Sequence, residues 1–301
     1  MLMTIRTLFQ QMMKQERLNF LITNRIPRRS LTIFMGWFSQ IKQPLVRDLS
    51  IGVWRRFAAL DLNEAKKTQF TSMHDCFIRE LKPGSRPVHA DPAILTSPCD
   101  GIVGACGLVV GTQVFQAKGF PYELLDLVGD PEMVIPYLDG CYVTIRITSS
   151  MYHRFHAPLD CDVHRVNYIS GDTWNVNPIA LKRVENLFCK NERAVVHAQP
   201  KGGGPDVLLV AVAAVLVASI RLHFLDALLH LRYRGPNVIK CNASFTKGEE
   251  MGWFQHGSTI IVFAPRGYEL CANIQDGEPL RVGMPLMAIP RVAEPTASSV
   301  T

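Results

Sequence analysis

The chain has 301 residues, 48% hydrophobic and 19% charged, the composition of a globular protein with one large core or two modest ones rather than a disordered polymer. Eight scattered cysteines without a Cys-x-x-Cys pair argue against a disulfide framework and for reduced thiols in a cytosol-facing protein. The net charge of +6 is uneven: residues 1–60 hold ten Arg and Lys against Glu16 and Asp48, so the rest of the chain is slightly acidic.

No stretch is long enough to span a bilayer. The longest apolar run, Val207 to Ile220, has 14 residues against roughly 20 needed, and its β-branched content reads as buried strand. Near the start, Leu18 to Thr23 is too short for a signal-peptide core and lacks a small-residue cleavage site, while the arginine-rich, acid-poor beginning also fits a mitochondrial transit peptide. Apolar residues at helical spacing predict helices over residues 33–41 and 49–60 within a helical segment spanning 1–70. Basic amphipathic helices with Trp and Phe suit the headgroup region of an anionic membrane; the other reading is a helix packed on its own core with a solvated basic face. No feature resembles a nucleic-acid module.

From residue 71 to 301 the pattern becomes short β-prone runs punctuated by Gly, Pro and Asp, at 101–105, 141–147, 162–169, 194–196, 207–220 and 258–263. The fold class is therefore α+β: a β-rich, sandwich- or barrel-like core behind an N-terminal basic helical segment. A helix is predicted over 121–128 and a turn-and-strand closure over 277–289, with a small, polar tail from 294.

Four local patterns bear on chemistry. Arg79-Glu-Leu-Lys-Pro-Gly-Ser-Arg-Pro87 reads as an extended basic linker. Ser97-Pro-Cys-Asp-Gly101 reads as a tight turn in which Asp100 bonds its own backbone, unless a partner recruits it. In Met151-Tyr-His-Arg-Phe-His-Ala-Pro158, His153 and His156 are spaced to share one face of a short helical turn ended by Pro158. With Cys161 and His164 this run spells a zinc-like spacing, but His164 falls in an alternating strand pattern and no second ligand pair accompanies it, so no metal is assigned. Beside a Tyr and an Arg the two histidines are better base candidates. The fourth pattern is His256-Gly-Ser-Thr259. Serine needs a neighbour to take its proton, and histidine oriented by aspartate is the usual solution. Gly257 leaves its own carbonyl unshielded beside the Ser258 hydroxyl, so an activated Ser258 has an electrophile within its own chain.

Taken together, Ser97-Pro-Cys-Asp-Gly101, Gln116-Ala-Lys-Gly119, Tyr152-His-Arg-Phe-His-Ala-Pro158, Asn175-Val-Asn-Pro178, Asn186-Leu-Phe-Cys-Lys-Asn-Glu-Arg193, Lys247-Gly-Glu-Glu-Met-Gly-Trp-Phe254 and Gly257-Ser-Thr259 resemble, in order, the membrane-associated phosphatidylserine decarboxylases of bacteria and mitochondria. The resemblance covers residues 50–290. It implies that Asp100, His156 and Ser258 form a self-processing triad, with His156 as base and Asp100 holding it. Ser258 Oγ then attacks the Gly257 carbonyl, turning peptide into ester. β-Elimination frees a β chain, 1–257. The dehydroalanine left on the α chain, 258–301, takes up water and loses ammonia to become a pyruvoyl group. The resemblance further implies that this cofactor forms a Schiff base with the amine of phosphatidylserine and accepts electron density as CO2 leaves. His153 matches the position associated with substrate recruitment and proton delivery. The implied product is phosphatidylethanolamine, and the implied assembly is a homodimer of αβ units on the cytoplasmic face of a bacterial inner membrane, or alternatively on a mitochondrial inner membrane.

The sequence departs from that pattern at His256, at Ser149-Ser150-Met151, at Cys99, and at Ala213 and Ala218, where the family tends to have glycine. Two other functions use the same residues: a serine hydrolase acting on an external ester through Ser258, His156 and Asp100, or a non-catalytic membrane-surface protein.

Overall fold

The computed structural model describes residues 15–58, 60–116, 120–216, 219–255 and 258–289. His256, Gly257 and Ala218, and the Ala-Lys-Gly of the 116–119 motif, lie outside the described residues, as do residues 1–14 and 290–301. Helices α1 (Glu16–Asn24), α2 (Arg28–Phe38), α3 (Pro44–Ala58) and the short α4 (Met73–Phe77) come first. Pro27 is the N-cap of α2 and Pro44 opens α3, which is why both helices start before the predicted 33 and 49. A proline there gives up an N–H that has no intrahelical partner anyway.

The strands follow. In chain order they are β1 (Ile94–Thr96), β2 (Gly101–Leu108), β3 (Gln113–Phe115), β4 (Pro121–Glu123), β5 (Cys141–Ile147), β6 (Arg154–His156), β7 (Cys161–Ile169), β8 (Arg193–Pro200) and β9 (Val207–Ala213). Then come β10 (Ser219–Leu222), β11 (Leu228–His230), β12 (Val238–Phe245), β13 (Glu250–Phe254), β14 (Ser258–Ala264), β15 (Glu269–Leu270), β16 (Pro279–Leu280) and β17 (Pro285–Ala288). Short helices α5 (Leu124–Val128), α6 (Pro178–Leu181) and α7 (Leu187–Lys190) interrupt them.

An eight-stranded antiparallel sheet runs β12-β7-β8-β9-β14-β5-β2-β16, and a four-stranded sheet runs β11-β10-β13-β6. Side chains alternate across a strand. Val143, Ile145, Val196, Leu209, Ile260 and Val262 therefore pack inward against Phe155, Ile220, Met251 and Phe254 of the smaller sheet. Their neighbours Tyr142, Val195, Val210, Ile261 and Phe263 pack on the other face against Leu124, Leu127, Leu187 and Phe188 of the short helices. The result is a helix–sheet–sheet sandwich in which β9 and β14 are buried along their whole lengths.

Three expectations need correction. The apolar run 207–220 is two strands, not one: β9 ends at Ala213 in the large sheet and β10 begins at Ser219 in the small one, with Leu216 at φ 70° in between. The predicted helix at 121–128 begins as strand β4, because Pro121 to Glu123 pairs with β3. His153 and His156 do not share a helical turn. Residues 154–156 pair antiparallel with β13, and this pairing overrides the local spacing.

The N-terminal helices dock on the core mainly through polar groups. Asn19 Oδ1 accepts from Asn177 Nδ2 and Asn24 Oδ1 from the Asn175 N–H, both at 3.0 Å. Thr32 Oγ1 accepts from the Leu216 N–H at 2.9 Å. Arg28 pairs with Asp172 at 2.6 Å and lies over the Trp174 ring. Apolar contacts add to these: Phe20 packs against the helix-side core, and Trp54 stacks on Phe77 of α4 with ring centroids 5.3 Å apart.

Candidate active site

Ser258 is the first residue of β14, paired on one side with Ile147 and on the other with Ala213. This register places its side chain on the same face as Ile260 and Val262, in the interior between the two sheets. Its hydroxyl is fully buried and has no hydrogen-bond partner among the described residues. Burying a hydroxyl without a partner costs on the order of 1–3 kcal/mol, so such a group calls for a chemical reason. Ala213, one of the departures from the resemblance, is the cross-strand neighbour of Ser258 and carries its methyl on that same face.

The end of β9 is clamped in place. Asn191 Nδ2 donates to the Ala213 carbonyl at 2.9 Å, and the Ala213 N–H donates to the Glu192 carbonyl at 2.8 Å. Thus the Asn186–Arg193 motif fixes the end of the strand that pairs with Ser258. Gln116 serves a similar positioning end, donating to the Leu181 and Val184 carbonyls and accepting from the Leu187 N–H.

His156 closes β6, and its own N–H donates to the Pro98 carbonyl at 2.7 Å, tying β6 to the turn that carries Asp100. Gly101 allows that turn to press against β5: a Cβ there would meet Ile145 Cγ2 at 2.4 Å. The His156 ring has two partners, the Gly248 carbonyl at 2.9 Å from Nδ1 and the Tyr152 hydroxyl at 3.1 Å from Nε2. A carbonyl only accepts, so Nδ1 carries the proton and Nε2 presents its lone pair, accepting from Tyr152. Gly248 offers this carbonyl at φ 84°, a conformation suited to glycine. Burial lowers the His156 pKa, opposed by the Gly248 carbonyl and by the charges of Glu250 and Asp100. The imidazole is therefore neutral near pH 7, the form a base requires.

Asp100 does not hydrogen-bond to His156 or Ser258 among the described residues. Its carboxylate is gripped by Arg86, through Nε at 2.8 Å and Nη2 at 2.5 Å, and accepts the Val282 N–H at 3.0 Å. Arg86 also reaches Glu64 at 2.9 Å. Burial works against the charge on Arg86, but the hydrogen bonds and charges of Asp100 and Glu64 outweigh it and raise its pKa. Asp100 thus acts on His156 through its field. Arg86 went unnoticed in the sequence because its linker reads as solvated turn; the one available signal was its proximity to the Asp100 turn.

His153 is fully buried, with Nδ1 2.8 Å from the Met151 carbonyl and its ring 3.9 Å, centroid to centroid, from Phe77 of α4. The zinc-like spacing does not converge. Cys161 is buried and His164 exposed, and no group of three His, Cys, Asp or Glu among the described residues is arranged to hold a metal.

Two cavities flank the turn over residues 148–151. One, of about 310 Å³, has a mixed lining that includes Arg86, Asp100 and Tyr152. The other, of about 400 Å³, lies at the sheet end where β14 begins, lined by Arg146 and Ile147 of β5, Ala214 beyond β9, and apolar side chains of the N-terminal helices.

A family model described as phosphatidylserine decarboxylase matches residues 73–288. Among curated relatives, the phosphatidylserine decarboxylase proenzyme of Haemophilus influenzae (strain Rd) is 32% identical over 281 residues, covering 89% of this chain and 95% of the relative. The proenzyme of Aliivibrio salmonicida is 31% identical over 278 residues, covering 87% and 95%, and that of Erwinia tasmaniensis 30% identical over 283 residues, covering 90% and 94%. With similarity extending through the buried serine, the histidine strand and the aspartate turn alike, the chain belongs to the phosphatidylserine decarboxylase family.

Proposed function

We propose that this protein is a proenzyme that cuts itself between Gly257 and Ser258 and then decarboxylates phosphatidylserine to phosphatidylethanolamine and CO2. The observation that carries the reading is the Ser258 hydroxyl, fully buried and unpartnered at the start of a strand flanked on both sides. In the uncut chain an external ester does not reach this hydroxyl, which argues against a serine hydrolase, whereas substrate has to reach position 258 only after the preceding chain has been released. The carbonyl preceding Ser258 is covalently at hand.

In this reading His156 Nε2 takes the Ser258 proton after the Tyr152 hydroxyl gives way. Asp100, from its arginine clamp, favours the imidazolium that forms. Oγ attack on Gly257 exchanges a peptide bond for an ester. Loss of the Ser258 α-proton then breaks Cβ–Oγ and leaves Gly257 as a carboxylate. Water replaces nitrogen at the new terminus and ammonia departs, so atoms balance without another reactant. The resulting pyruvoyl group supplies the electron sink for decarboxylation. The residues around it fit: strand pairing to Ile147 and Ala213 holds the new terminus after the cut, and the Ala213 methyl faces it with no competing charge. His153, buried beside Phe77, is the residue we assign to proton delivery and substrate recruitment.

The N-terminal helices support a membrane-surface location for the αβ unit. Leu45, Leu49 and Val53 form an outward stripe one helical turn apart on α3, and Phe34 and Trp37 are exposed on α2. No helix among the described residues is long and apolar enough to cross a membrane. An outward apolar face on helices that also carry the exposed Arg25 and Arg29 suits an anionic interface. We take residues 1–70 as this membrane-surface segment, 71–301 as the catalytic domain, and the active form as a homodimer of αβ units.

Intact-mass analysis tests the reading. Wild type should give two fragments, the smaller beginning at position 258 and reacting with a hydrazide, and Ser258→Ala should remain one chain. A full-length wild-type chain with Ser258 intact would refute it.

A further inference from the structure

Arg146 stands out among the arginines drawn into the fold. Arg86 is answered by Asp100 and Glu64, Arg154 by Glu250 at 2.7 Å, and Arg193 by the Asp126, Leu127 and Cys189 carbonyls at 2.6 Å. Arg146 forms no hydrogen bond or ion pair among the described residues, although burial, the one cause acting on it, lowers its pKa. Arg146 is half-buried, and a guanidinium presents five donors and stays charged, so one without a protein acceptor is free to take an anionic ligand.

The position of Arg146 says which anion. It pairs with Thr259, one step from the Ile147–Ser258 pair, so alternation turns it to the sheet face opposite Ser258. It therefore meets a part of the substrate remote from the bond that breaks, not the carboxylate that leaves. Arg146 lines the 400 Å³ cavity together with Ser149, while Met35, Trp54, Met73 and Phe77 make an apolar wall. One cation next to an apolar wall matches a phosphodiester carrying a glycerol and the first carbons of its acyl chains. Two oxygens of a phosphodiester suit the planar fork of arginine.

We propose that Arg146 and this cavity form the phosphodiester subsite for the glycerophospholipid, a specificity element remote from the reacting centre. The proposal rests on the phospholipid-decarboxylase reading above. Binding spent there holds the headgroup while its other end reaches the new α-chain terminus.

The test is equilibrium binding of dihexanoyl phosphatidylethanolamine, below its critical micelle concentration, to wild-type, Arg146→Gln and Arg146→Lys proteins. Dihexanoylglycerol and inorganic phosphate serve as probes lacking one half of the ligand. We expect Arg146→Gln to weaken the phospholipid about tenfold or more, with Arg146→Lys between it and wild type. Dihexanoylglycerol should bind wild type and Arg146→Gln alike. For phosphatidylserine in mixed micelles, the loss should fall on KM, with kcat within about twofold. Equal phospholipid affinity in wild type and Arg146→Gln overturns the proposal, as does absence of binding to wild type. Inorganic phosphate binding as tightly as the lipid would make this a free-phosphate site and overturn the lipid assignment. A wild-type chain that binds the lipid through Arg146 but is neither cut nor active would sink the decarboxylase reading and leave the subsite standing. Arg146→Lys keeps the experiment decisive if Arg146→Gln does not fold.

Discussion

In β9 and β14 every residue is buried, on both faces of the sheet. In α1 and α2 the buried residues are Asn19, Asn24 and Thr32, while Leu21, Ile22, Phe34 and Trp37 lie exposed. The two regions thus use apolar side chains in opposite directions. The sheet hides them to fix a strand start where Ser258 is held without solvent. The helices turn Asn19, Asn24 and Thr32 to the core, with Phe20 packed beside them, and leave several large apolar side chains outside, a distribution that a lipid surface would favour over water. An exposed apolar face of this kind is what the proposed membrane-surface role requires.

Two tryptophans sharpen this contrast most. Trp54 is 9% exposed and stacked on Phe77, while Trp37 is 63% exposed. Trp54→Ala should lower unfolding free energy by about 3 kcal/mol or more and loosen the wall of the cavity beside Ile147. Trp37→Ala should stay within about 0.5 kcal/mol of wild type in urea and lose affinity for anionic vesicles instead. Equal destabilisation by both would mean that α2 is ordinary core.

The outward stripe of α3 offers a way to break the comparison. Replacing Leu45, Leu49 and Val53 together by serine should lower partitioning onto phosphatidylglycerol vesicles by about tenfold or more and leave the urea midpoint unchanged. Turnover of vesicle-embedded substrate should fall with it, while turnover of dihexanoyl phosphatidylserine persists. A lower midpoint with unchanged partitioning would assign the stripe to protein packing.

How much of this was legible beforehand follows from the range of each interaction. Alternation and β-branched content are local, so β5 and β14 were visible almost residue for residue, and Ser258 with its glycine could be singled out. The β6 strand was not, since its three residues pair with β13 nearly a hundred positions later and carry a helix-like histidine spacing. The break between β9 and β10 hides inside a uniform apolar run, because crossing from one sheet to the other needs no change of hydrophobicity. Arg86 and Arg146 escaped for a related reason: what distinguishes them is which charge they do or do not meet across the fold. Asp100, His156 and Ser258 could be singled out residue by residue, but not that Arg86 rather than His156 holds the aspartate or that a glycine carbonyl fixes the histidine tautomer.

Glu192 is one of several polar groups buried in the largely apolar sheet region, with Asn191, Arg193 and His197, and it gives a test with a sign. It is fully buried beyond the start of β8, its backbone carbonyl holds Ala213, its Oε1 accepts from the Tyr168 hydroxyl, and its Oε2 has no partner among the described residues. Burial, opposed by Tyr168 and Arg29, pushes its pKa up from 4.5 to about 7. Below pH 4.5 the group is protonated whether the chain is folded or not. Between pH 4.5 and about 7 the unfolded chain gives up the proton while the folded one keeps it, so stability is lost progressively as pH rises through that window. Above it both states are ionised and the loss is complete, about 3 kcal/mol for a shift of this size. Glu192→Gln carries no charge in either state and keeps the backbone clamp on Ala213. Its stability relative to wild type should therefore climb between pH 5 and 7.5, with self-cleavage intact. Parallel urea profiles for the two proteins would mean that Glu192 is already ionised in the fold, and that the interior beside Ser258 is more polar than its lining suggests.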